Sequence, residues 1–78
     1  MNVEKLRSHL NREVRLSFKD GEIVDAVLLG VDPDWERDLT YEVKHVVQQG
    51  SPLPRGTAVG APCIAQLDDL SAWEPIGV

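Results

Sequence analysis

Residues 14–43, VRLSFKDGEIVDAVLLGVDPDWERDLTYEV, decide the fold. Val14, Leu16 and Phe18 alternate with Arg15, Ser17 and Lys19, the period of two that marks a strand with one buried face. Asp20-Gly21 supplies a tight hairpin turn, because glycine takes the positive φ that such turns need. The return strand is apolar on both sides. Ile23, Val27, Leu29 and Val31 point one way, and Val24, Ala26, Leu28 and Gly30 the other. Such a strand is covered twice, inside a bent barrel or at an interface between subunits. Asp32-Pro33-Asp34 stops it, since proline removes a ladder donor and aspartate favours turns. Alternation resumes with Leu39, Tyr41 and Val43 against Thr40, Glu42 and Lys44, and places His45 on the face of Tyr41 and Val43.

Upstream, Val3, Leu6 and Leu10 recur at helical spacing behind Asn2, a fair N-cap, and Asn11 is a tolerable stop. Downstream, QQGSPLPRGTAVGAP at residues 48–62 holds three glycines and three prolines, too many breakers for a regular element. Cys63 to Leu67 reads as a short strand, Asp68-Asp69 as a turn, and Ala72 to Ile76 as a last strand carrying Pro75 at an edge. The expectation is one mainly-β domain over residues 1–78. Its parts are a helix at about 3–10, strands at about 13–19, 22–32, 38–47, 62–67 and 72–76, and a loop at 48–61. Five strands at this length hide their edges best by bending into a small SH3-like barrel, with the helix across one open end.

Composition narrows the class. The 78 residues allow one compact domain, which at this size buries only about 60% of its unfolded surface. A single cysteine, Cys63, excludes a disulfide framework or a cysteine-rich zinc site. The longest apolar run, Ala26 to Val31, is too short to span a bilayer, and the charged MNVEKLRSHLNRE holds no signal region. A cytoplasmic protein with no membrane partner is the expectation. The formal charge of −5 is unevenly spread. Residues 1–19 carry five cations against Glu4 and Glu13, for +3; residues 20–44 carry eight acids against Arg37 and Lys44, for −6. Nucleic acid therefore finds attraction only on the first segment or in a neutral pocket.

The same stretch, with its Lys19-Asp20-Gly21 turn and Gly30-Val31-Asp32-Pro33 step, resembles the first motif of the Sm and Sm-like (LSm) family, which includes bacterial Hfq. CIAQLDDLSAWEPI, at Cys63 to Ile76, falls where the second motif would lie. The resemblance implies a strongly bent Sm-like barrel and a homo-oligomer, a ring built by pairing the last strand of one subunit with the fourth of the next. It also implies single-stranded RNA as a ligand. By position, the RNA-binding set would be Asp32 bracing the loop, Trp35 stacking, Asp38 and Gln66 at the base, with Asp68 beside them. Three places depart from the family pattern. Ala26 stands for a glycine, Asp38 for an asparagine, and Gln66-Leu67 for an Arg-Gly pair. A carboxylate at Asp38 only accepts hydrogen bonds and repels phosphate, and Gln66 lacks a guanidinium's charge and stacking plane.

Read from the residues alone, Trp35 is either a base- or peptide-stacking anchor or a packing residue against the barrel rim or a neighbour. Lys5, His9 and Arg12 fall at i, i+4 and i+7, a basic helix face that meets phosphate or merely faces water. Asp32, Asp34, Glu36 and Asp38 alternate as a calcium loop would. Arg37 and Val43, however, occupy the positions where such a loop needs glycine and a bidentate glutamate. His45 and Cys63 lack the orienting group and oxyanion site of a nucleophilic pair, and no phosphate-binding loop is present. The expectation is a protein without catalysis, metal or cofactor, whose partners are itself and either RNA or another protein.

Overall fold

The structure, a computed structural model, describes residues 3–50 and 59–76. The order is α1 (Val3–Arg7), β1 (Glu13–Phe18), β2 (Ile23–Asp32), β3 (Asp38–Gln48), β4 (Pro62–Gln66), the 3-10 turn η1 (Leu67–Asp69) and β5 (Leu70–Pro75). The strands form one open antiparallel sheet in the order β4-β3-β2-β1-β5. Its two edge strands are consecutive in the chain and joined only by η1, so the sheet curls until its edges approach at that end.

The alternation in residues 14–18 becomes the burial pattern directly. Val14, Leu16 and Phe18 are buried, opposite Ala26, Val24 and Leu70. Leu28, Leu39, Tyr41, Val43, Ala65 and Leu67 complete the concave face, and α1 adds Leu6. Each fully buried leucine is worth about 1.5–3 kcal/mol of transfer free energy, so one face of the sheet supplies nearly all of the driving force. Trp73, half-buried, packs against this core.

β-bulges correct the sequence reading of the faces. The β2–β3 register shifts between Leu28 and Gly30, leaving Leu29 without a ladder partner. Beyond that point the faces exchange. Val31 lies opposite Leu39 and packs on the core, whereas Gly30 lies opposite Thr40 on the outside. A bulge bends and twists its strand, which makes β2 the bent strand of the sheet. A second shift, between Asp25 and Ala26, loops out Lys44 and puts His45 opposite Asp25 on the convex face, not with Tyr41 and Val43 as alternation predicts.

The elements' ends also differ from expectation. α1 stops at Arg7 rather than near residue 10. Ser8 Oγ donates to the Lys5 carbonyl, a local bond that competes with the helix, and Asn11 takes φ 65° to turn the chain into β1. Asp68-Asp69 lies within the 3-10 turn, and β5 starts at Leu70 because that side chain is buried opposite Phe18. Most of the expected 48–61 loop lies outside the described residues. Among the described residues no helix is long and apolar enough to cross a membrane.

Candidate functional site

At the far end of the β2–β3 hairpin, residues distant in sequence meet. Asp32 lies opposite Asp38, and Asp38 opposite Gln66, so β2, β3 and β4 contribute one cross-strand row. The loop between Asp32 and Asp38 is closed by two devices. Asp32 Oδ1 accepts the backbone N–H groups of Asp34 (3.2 Å) and Trp35 (3.1 Å), and Oδ2 accepts that of Glu36 (3.3 Å). These donors, Trp35 first and then Glu36, hold the Asp32 carboxyl below its ordinary pKa; the field of Arg7 adds a smaller effect in the same direction.

Arg37 is the second device, and sequence reasoning gave it no role. Its backbone adopts φ 51°, unusual for a residue with a Cβ. Its guanidinium donates to the Pro33 carbonyl (3.3 Å) and to Asp68 Oδ1 (3.2 Å). Its own carbonyl accepts the Leu67 N–H at 2.8 Å. The ion pair is exposed and adds little stability, but together these bonds tie the loop to η1. A lone arginine among acids was the available signal.

Trp35 projects from this braced loop, 88% exposed, and makes no ring contact among the described residues. Asp34 and Glu36 flank it, both exposed. Two rows inward, and next on the same face, Gly30, Thr40 and Ile64 align on the convex side. Ile64 is 68% exposed, and a Cβ added at Gly30 would meet nothing within 4 Å. The structure thus brings Asp32, Trp35, Asp38, Gln66 and Asp68 to one end of the sheet, with two exposed apolar side chains beside a mainly anionic set.

The basic residues do not form a stripe. Lys5 lies on α1, but His9 is beyond its end, with Nδ1 2.9 Å from the Lys5 carbonyl. The imidazole meets the Trp73 ring edge-on at a centroid distance of 5.2 Å, fastening the turn after α1 to β5. Arg12 precedes β1, where its carbonyl accepts the Leu28 N–H. The i, i+4, i+7 spacing fails because the helix ends before its second member.

Elsewhere on the convex face Arg15 forms a bidentate pair with Asp25, Nε to Oδ1 at 2.8 Å and Nη2 to Oδ2 at 3.1 Å. That contact raises the Arg15 pKa and lets Asp25 remain only 9% exposed. Cys63 faces inward opposite Tyr41, its Sγ 3.7 Å from the Ala61 carbonyl, on the face of the sheet away from His45. Among the described residues no three His, Cys, Asp or Glu side chains are grouped to hold a metal ion. The fold thus defines a class, a small mainly-β domain of one open antiparallel sheet with a short amino-terminal helix. No family model, curated protein or solved structure matches the chain.

Proposed function

We propose that this chain is a non-enzymatic Sm-like subunit that assembles with copies of itself into a ring in the cytoplasm. The observation that carries the reading is the pair of free edges. β4 and β5 end the sheet on opposite sides, each short and each with no further strand beside it among the described residues. Pairing β4 of one copy with β5 of the next is a heterologous contact, which closes a ring when the rotation per subunit divides a full turn. Closure of each subunit into a barrel draws support from η1, which links the two edges in three residues. Pro75, at the end of β5, offers no N–H and limits the pairing to the strand before it. Light scattering at micromolar concentration tests the assembly. The expected mass is a defined multiple of 8.7 kDa, and a monomer overturns the reading.

RNA is the ligand that the resemblance implies for such a ring. Against it stands the row of Asp32, Asp38 and Gln66, with carboxylates where a nucleobase edge and a phosphate would approach. That row favours a second reading, a protein–protein module that binds no nucleic acid. Titration with short uridine- and adenine-rich RNAs at two salt concentrations separates the two. Saturable binding that weakens with salt supports RNA, and no binding at low salt supports the module.

A further inference from the structure

We infer that the Trp35 loop and the adjoining convex rows of β2, β3 and β4 form a docking surface for a basic, arginine- or lysine-bearing peptide segment of another protein. The inference deepens the second reading above and does not depend on ring assembly. Its starting point is an exposed aromatic that packing does not explain. Trp35 is 88% exposed, yet its backbone is held by Asp32 and its loop is tied to η1 through Arg37. A large ring displayed on a backbone already ordered binds with little further loss of conformational freedom, the character of an interface hot spot. Ile64, 68% exposed on the same end of the sheet, gives a second apolar contact, and the absence of a side chain at Gly30 leaves the row beside it open.

Charge decides the occupant. Asp34 and Glu36 flank Trp35, and Asp32 and Asp38 form the row behind it. Asp68 and Asp69 lie in η1, and the loop's own cation, Arg37, is engaged by Asp68 and the Pro33 carbonyl. A phosphate backbone is repelled by this set. A guanidinium or ammonium group is attracted by it and gains a cation–π contact over the tryptophan face, where the planar guanidinium also stacks. Apolar contacts on either side of an acidic row suit a segment in which basic and apolar side chains alternate.

The test uses a fluorescein-labelled decapeptide alternating arginine and leucine, its glutamate-for-arginine counterpart, and a labelled oligouridine, each followed by anisotropy. The whole chain is expected to bind the arginine peptide alone, more weakly as salt rises. Trp35→Ala should weaken that binding at least about tenfold, and Asp34→Asn with Glu36→Gln should weaken it while flattening the salt dependence. Circular dichroism establishes that each variant is folded. Binding that Trp35→Ala leaves intact would reduce the effect to diffuse charge and overturn the proposal, as would failure of the arginine peptide to bind or preferred binding of oligouridine. Light scattering on Trp35→Ala distinguishes the remaining occupant: an unchanged mass supports a separate partner, whereas dissociation of an oligomer would assign Trp35 to a second copy and overturn it.

Discussion

The two hairpin connections of the central meander use the same local device to opposite ends. In the first, Asp20 Oδ1 accepts the Glu22 N–H at 2.9 Å, and Gly21 turns the chain at φ 95°. In the second, Asp32 accepts three N–H groups and Arg37 turns the chain at φ 51°. The first turn is then covered. Gln48 Nε2 donates to the Gly21 carbonyl at 2.8 Å, and a Cβ at Gly50 would come within 2.8–2.9 Å of the Asp20 side chain. The second projects, and its largest side chain, Trp35, is 88% exposed. An aspartate-closed turn is thus a structural part when its chain is minimal and a display platform when the chain is longer than closure needs.

The largest effects should be shared by both hairpins, because both stand on one core. Leu16→Ala, on the strand leading into the first turn, and Leu39→Ala, on the strand leaving the second, each remove a fully buried side chain. Each should cost about 2–5 kcal/mol in urea unfolding. A much smaller loss for Leu39→Ala would mean that the second loop sits on an independent, weaker part of the sheet. Next comes Gly21→Ala, which forces a Cβ into a left-handed conformation at a cost of about 1–2 kcal/mol, with no serious clash since its nearest neighbour is 3.7 Å away. A neutral result would show that the first turn takes another conformation at no cost and is not a fixed structural part.

Acid should separate the two regions further. Asp32 is held below its ordinary carboxylate range, so its stabilising effect is fully present above the unfolded pKa and is lost as pH falls through the lowered folded value. Amide exchange at Asp34, Trp35 and Glu36 should quicken over that window, corrected for intrinsic rates, and Asp32→Ala should show the quickened exchange at every pH. Exchange in Leu16 to Phe18 should remain slow throughout. The smallest effect is Trp35→Ala on folding itself, within about 0.5 kcal/mol of the parent. A larger loss would show that the ring is a packing residue after all.

How much of this was legible beforehand follows the same division. Val14 to Val24, with strict alternation and Asp20-Gly21, reads correctly because a period of two and a glycine turn are local signals. The convex face does not read. Leu29 and Lys44 step out of register, and neither differs in kind from its neighbours, so nothing local announces that Gly30 and His45 point outward. The end of α1 fails for a related reason. Leu10 keeps the helical spacing, while the local Ser8 bond to Lys5 is joined by two contacts between residues far apart in sequence, the Asn11 N–H on the Leu28 carbonyl and His9 on Trp73. The resemblance groups Asp32, Trp35, Asp38, Gln66 and Asp68 as one set. The cross-strand row of Asp32, Asp38 and Gln66 is long-range information, and the role of Arg37 rests on bonds to Pro33, Leu67 and Asp68.

The pairing of β1 with β5 also sets the order of events during folding. β1, β2 and β3 are neighbours in both chain and sheet and can pair as soon as they are made. The other edge of β1 must wait for β5, with Val14 opposite Pro75 and Leu16 opposite Trp73. Such distant pairing closes a long loop before it gains a ladder, so this step should limit the folding rate. Until then a growing chain on the ribosome presents β1 as an open, half-apolar edge, and during synthesis that strand is where a chaperone would be needed most.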